Sequence, residues 1–227
     1  MLKILLFLSM HLLILLSAGR ADCDPVPDLV QAARNQIGRT VLYDPAYYGL
    51  AYPNGDLPLE RGVCADVVIR ALRSAYGLDL QKLIHEDMKR DFPGYPRIWG
   101  LRRPDKNIDH RRVPNLQVFF RKKGWSLVVS DAPDDYRPGD IVTCTIPPHL
   151  PHIMIVSEKK NRRGIPLVIH NIGAGVREED RLFEFSLTGH YRIPAASSNA
   201  TVQNVAVFKA EEIRKMSRCG PDHSPET

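Results

Sequence analysis

The chain has 227 residues, 44% of them apolar and 25% charged, with a formal net charge of +5 at neutral pH. That balance supplies enough apolar mass for a packed core and excludes a collagen-like, low-complexity or wholly disordered chain. The charge is too weak, and the basic residues too little interleaved with aromatics, to point to nucleic acid.

Residues 1–21 have the pattern of a secretory signal. Lys3 gives a positive start, residues 4–16 are apolar apart from Ser9 and His11, and Gly19 and Ala21 place small residues at the −3 and −1 positions. The apolar run is short for a membrane span, and the residues before Cys23 lack a lipoprotein pattern. The expectation is an exported chain, periplasmic or secreted, with no membrane anchor after cleavage. Loss of Lys3 and Arg20 would leave a charge of +3.

Four cysteines follow: Cys23, Cys64, Cys144 and Cys219. No CxxC and no zinc-finger spacing occurs among them. Cys23 and Cys219 lie near opposite ends, and domain ends are often close in space, so they form a candidate disulfide in a compartment that permits one. Cys144, in IVTCTI, reads as a buried strand residue.

Residues 28–37 have helical periodicity and stop at Gly38. Residues 40–58 are rich in Tyr, Pro and Gly and read as an ordered loop. Residues 64–76 form an amphipathic helix with Val67, Val68, Ala71, Leu72 and Ala75 on one face, ended by Gly77. A second helix is predicted over 80–89, an irregular stretch over 92–114, and a third over 115–123.

The pattern then changes to short runs rich in Val, Ile and Phe, at 126–130, 140–146, 152–158, 166–171 and 182–186, separated by Pro, Gly and Asn turns. Helices first and strands later predict an α+β domain, N-terminal helices packed on an antiparallel sheet. Its span is taken as 22–194, with 195–227 as a C-terminal extension.

The chemistry gathers around Cys64. A cysteine that opens a helix meets unpaired backbone N–H groups and the positive end of the helix dipole, both of which favour thiolate. His152, in PHIMIV, and His170, in PLVIHN, fall on consecutive predicted strands and can share one sheet face. If the helix start packs against that face, Cys64 meets His152, and His170 orients the second imidazole nitrogen as third member of a triad. Asn171, beside His170, is the alternative third member.

That order resembles the papain-like superfamily, and within it the NlpC-type cell-wall peptidases, where HIMIV is similar to their histidine-bearing strand. More specifically, the segments YDPAYYGLAYPNGDLPLERGVCADVVIRALR, HEDM, PDKNIDHRRVPNL, GDIV, LPHIMIV and HNIG resemble the bacterial family called domain of unknown function 1287, the YijF-like proteins. The resemblance runs from about Tyr43 to Arg192. It implies a papain-like fold and hydrolase chemistry carried by Cys64, His152 and His170, and says little of substrate. The 92–114 stretch would be an insertion relative to compact cell-wall peptidases.

Other polar groups have expected places around this site. Asp66, four residues before Arg70, reads as an ion pair or as part of the active-site wall. The resemblance to NlpC-type enzymes also implies a tyrosine donor to the oxyanion, for which Tyr43 is the candidate, beside the Cys64 backbone N–H. Asp109, His110, Arg111 and Arg112 form a candidate substrate clamp, since guanidinium groups bind carboxylates bidentately. HEDM at 85–88 does not converge on one helix face and is not read as a metal site. Asn199-Ala200-Thr201 matches a glycosylation sequon that a bacterial chain would not use.

The leading expectation is a secreted cysteine hydrolase that needs no cofactor and no metal. It would cut an amide bond in peptidoglycan or muropeptides through Cys64 thiolate held by His152. A non-catalytic binding module on the same fold is the first alternative. A zinc hydrolase built from His110, His149, His152 and His170 is the second.

Overall fold

A computed structural model describes residues 28–194. The expected leader, the Cys23–Cys219 candidate and the C-terminal extension lie outside the described residues. Among the described residues no helix is long and apolar enough to cross a membrane.

The chain starts with α1 (Asp28–Arg34), then a two-stranded parallel pair, β1 (Leu42–Tyr43) on β2 (Arg61–Gly62), which leads into α2 (Cys64–Tyr76). α3 (Leu80–Arg90) and α4 (Val113–Lys122) flank an irregular stretch holding two 3-10 turns. The remainder builds a six-stranded sheet from β3 (Ser126–Leu127), β4 (Ile141–Ile146), β5 (Leu150–Lys160), β6 (Pro166–Asn171), β7 (Val176–Glu179) and β8 (Ser186–Tyr191). Its spatial order is β3-β8-β4-β5-β6-β7, antiparallel throughout. This is the α+β arrangement expected from the order of elements.

α2 is the structural centre. Its residues Cys64–Leu72 are all buried. The Asp66 carboxylate accepts the Val63 N–H at 2.7 Å, satisfying a donor at the helix start. Gly77 ends the helix in the left-handed region (φ 66°), and its N–H returns to the Arg73 and Leu72 carbonyls. α4 begins with Pro114 in its first turn, where a missing N–H costs nothing.

Alternation along the strands divides the interior in two. Ile141, Ile153, Ile155 and Ile169 join the helices in one core. Val142, Cys144, Met154, Val156 and Val168 form a second cluster on the opposite face, with Tyr136 and Leu182.

Some predicted elements change. The helix over 28–37 stops at Arg34. The strand over 126–130 shortens to two residues, because Val128 and Val129 run off the sheet edge into solvent. The strand expected over 182–186 is a turn: Leu182, Phe183 and Phe185 fold back onto the second cluster, and strands lie on either side, β7 before and β8 after.

One irregularity positions the site. The β5–β6 ladder shifts register between Val156 and Lys160, and its last pair toward the start of β5 is Ile155↔Ile169. His152 and Ile153 on one strand, and His170 and Asn171 on the other, have no ladder partner across the gap. The start of α2 sits at this opening, where Asn171 Nδ2 donates to the Gly62 carbonyl at 2.9 Å.

Candidate active site

Cys64 is the first residue of α2 and lines an open cleft of about 290 Å³. The other walls include Tyr43, Pro45, Ile98, Trp99, Arg111 and Pro151. The backbone N–H groups of Ile153, Ala65 and Cys64 itself favour thiolate, and the Asp66 charge opposes it. Burial outweighs these donors and pushes the thiol up to about 12. The contact with Ile153 is informative about position. That amide is the one joining His152 to Ile153, so the sulfur lies against the backbone of the histidine strand, at the gap where the β5–β6 ladder ends.

His152 Nε2 lies 2.7 Å from His170 Nδ1, and His170 Nε2 lies 3.1 Å from a Glu179 carboxylate oxygen. The same Glu179 oxygen accepts Arg181 Nε–H at 3.0 Å. The two strands thus deliver both imidazoles to one face, as expected from the sequence. It is not, however, the face that carries the helices: His152 has the parity of Met154 and Val156, and His170 that of Val168. Both rings are buried and neither lines the cleft. Burial pushes His152 down to about 3, with His170 and Arg181 adding to the effect, and lowers His170 as well. Among the described residues no hydrogen bond joins the Cys64 sulfur to either ring. The expected packing of the helix start on the histidine face is not formed: alternation along the strands leaves Cys64 on one side of the sheet and the imidazole pair on the other, so Cys64 does not meet His152.

The remaining predicted residues divide. Tyr43 shares the cleft with Cys64, and burial, then the Cys64 and Asp66 charges, raise its hydroxyl above the ordinary range, which keeps it a donor. Asp66 is paired, but with Arg111 and not Arg70. Arg111 Nε and Nη2 meet the two Asp66 oxygens at 2.9 and 3.0 Å, and the guanidinium also donates to the Ala46 and Asp44 carbonyls. Arg70 turns instead to Asp56 at 2.9 Å.

Arg111 is therefore a buried strut holding the 44–46 loop to α2, and not a free clamp for substrate. Asp109 is buried as well: it accepts the Asp105 N–H and pairs with Arg112 at 3.0 Å. His110 is buried away from the cleft, and burial with the Arg111 charge pushes it down to about 4. Of the four clamp residues, Arg112 keeps a role at the cleft wall, its guanidinium stacked 4.1 Å over the Trp99 ring.

Among the described residues no three His, Cys, Asp or Glu side chains gather as metal ligands. His110, the exposed His149 in the β4–β5 turn, and the His152–His170 pair occupy separate places, so the donor set of the zinc alternative is not assembled. Sequence reasoning missed Glu179, Arg181 and Trp99. Nothing in VREEDR or RIWG distinguishes them from surface residues, and their importance comes from pairing across strands and loops.

A family model described as Domain of unknown function (DUF1287) matches residues 30–193. The chain is also similar to the "Uncharacterized protein YijF" of Escherichia coli (strain K12), with 57% identity over 164 residues, covering 72% of this chain and 80% of that protein. The matched region contains every element from α2 to β8.

Proposed function

The chain belongs to the DUF1287 family, and we propose that it is a papain-like, NlpC-type cysteine hydrolase that cuts an amide bond in peptidoglycan-derived peptides outside the cytosol. The observation that carries this reading is the position of the Cys64 sulfur. It lies at a helix start in the wall of an open cleft, against the amide that follows His152, while His152 is itself tied through Nε2 to His170. A nucleophile at a cleft and an imidazole oriented by a second one are parts that acyl transfer needs, and in this reading the His152 ring, which rests on the other face of the sheet without a hydrogen bond to the sulfur, must turn toward it before reaction.

The electrostatics alter the expected mechanism. Burial raises the thiol to about 12 and lowers His152 to about 3, so the resting pair is neutral and not a thiolate–imidazolium ion pair. Cys64 then gives its proton to His152 as the sulfur attacks the carbonyl carbon. His152 passes that proton to the leaving amine, and water hydrolyses the thioester with His152 again as base. The Cys64 backbone N–H and the Tyr43 hydroxyl are the candidate donors to the oxyanion. Arg112, held flat on Trp99 at the cleft, offers a guanidinium to the carboxylates of a stem peptide.

One observation favours a second reading, a non-catalytic binding module: the buried thiol has no hydrogen bond to an imidazole. The test is incubation of purified sacculi and muropeptides with the wild type and with Cys64→Ala, followed by mass analysis. New fragments with the wild type alone support the hydrolase. Unchanged muropeptides that are nonetheless retained by both proteins support the binding module.

A further inference from the structure

The chain of hydrogen bonds on the far face of the sheet continues past the two histidines, and its direction can be worked out. We propose that Glu179 is a positioning residue that sets the proton polarity of the His152–His170 pair, leaving Nδ1 of His152 as the bare nitrogen. The consequence for catalysis rests on the hydrolase reading; the polarity itself does not.

One group in this hydrogen-bond chain has a certain direction. Arg181 can only donate, and its Nε–H ends on the Glu179 oxygen at 3.0 Å, so that oxygen is an acceptor. The same oxygen faces His170 Nε2 at 3.1 Å, so His170 donates from Nε2. A neutral imidazole carries one proton, so His170 Nδ1 is bare and can only accept. It sits 2.7 Å from His152 Nε2, which must therefore carry the proton. The proton of a neutral His152 is thus spent on Nε2, and Nδ1 keeps a lone pair.

Burial lowers both imidazoles, consistent with two neutral rings. His170 is fully enclosed at the side chain, so no water competes for either of its nitrogens.

Fixing a tautomer is what a carboxylate behind a catalytic histidine commonly does. Here the carboxylate stands one imidazole further back, on β7, and acts through His170. In the hydrolase reading, once the His152 ring turns toward the sulfur, Nδ1 of His152 takes the proton from the Cys64 S–H as the sulfur–carbon bond forms. The imidazolium so produced lies at the head of a chain that ends in a carboxylate, which stabilises it until the proton leaves with the amine. The opposite polarity would put a proton on Nδ1 at rest and leave no base for the thiol.

The test is a long-range 1H–15N correlation spectrum of the full chain labelled at histidine nitrogens, near neutral pH. Assignment uses His152→Gln and His170→Gln. A protonated ring nitrogen and a bare one have well-separated shifts, so each tautomer is read directly. The wild type is expected to show Nε2–H with bare Nδ1 for both histidines, and the same pattern in Cys64→Ala. Glu179→Leu is expected to move His152 toward a mixture in which Nδ1–H is populated, while Glu179→Asp restores the wild-type pattern in part.

A proton on Nδ1 of His152 in the wild type, a doubly protonated His170, or a pattern unmoved in a folded Glu179→Leu would each overturn the proposal. The wild-type spectrum alone decides the polarity if the leucine variant does not fold. Where the wild type cleaves muropeptides, Glu179→Leu should lower kcat on the order of 10- to 100-fold with KM little changed. If muropeptides stay intact but the tautomer pattern holds, the hydrolase reading fails and the polarity stands.

Discussion

At the scale of single residues, the site is defined by polar groups that folding has removed from water. Asp66 and Arg111 form a bidentate pair with side chains only 5% and 2% exposed, and this pair, not a surface clamp, fixes the wall beside Cys64. His110 and His152 are buried neutral, pushed down to about 4 and about 3 by desolvation first. A histidine with a depressed folded value binds its proton more readily in the unfolded chain. Its contribution is therefore complete above about pH 6.5, the unfolded value, and is lost as pH falls toward the folded one. For His110 the loss by pH 4.5 is about 2 to 3 kcal/mol. Thermal melts between pH 7 and 4.5 should show Tm falling steeply in the wild type, and less steeply in His110→Gln, which has no group to titrate there. Parallel pH curves for the two proteins would contradict a buried neutral imidazole at that position.

At the scale of elements, α2 shows how local signals place the nucleophile. Its apolar face, its first residue and its terminal glycine are all legible in the sequence, and each has a physical cause: periodicity, exposed N–H groups, and a left-handed exit only glycine makes cheaply. No heavy atom lies within 4 Å of a Cβ added at Gly77, so Gly77→Ala isolates the backbone term. The loss expected is about 1 kcal/mol, measured by denaturant unfolding with the slope unchanged. A neutral substitution there would mean that the helix end relaxes out of the left-handed region. The strands were less legible. β7 reads VREE and β8 reads SLTGHY, neither with an apolar alternation, because their inward positions are filled by ion pairs and buried polar groups. Glu178 meets Arg34 and Lys159, and His190 stacks on Tyr136 while bonding Asp140 at 2.8 Å. The apolar LFEF run at 182–185, by contrast, looks like a strand and is a turn, since its side chains cap a cluster instead of pairing. The same limit applies to the site. Cys64, His152 and His170 stand out by residue type, but Glu179 is one acid in an acidic run until β6 and β7 pair.

At the scale of the whole molecule, the sheet is a partition with a separate apolar cluster on each side, and the two described thiols lie on opposite sides of it. Cys64 joins the helical core at 5% exposure and borders the cleft; Cys144, on the central strand β4, is fully buried in the second cluster. Burial pushes both up to about 12, so neither is reactive through its charge at rest, and access decides which one a reagent finds. A thiol at the edge of a cleft needs only a local opening, whereas one buried on β4 between β5 and β8 needs the sheet to come apart. With increasing denaturant below the unfolding transition, alkylation of Cys144 should accelerate with the slope of global unfolding. Alkylation of Cys64 should change little over the same range. Peptide mass analysis of the labelled protein separates the two sites. Equal denaturant slopes would mean that the cleft gives no route to the sulfur short of unfolding, and a substrate carbonyl would then have no route to it either.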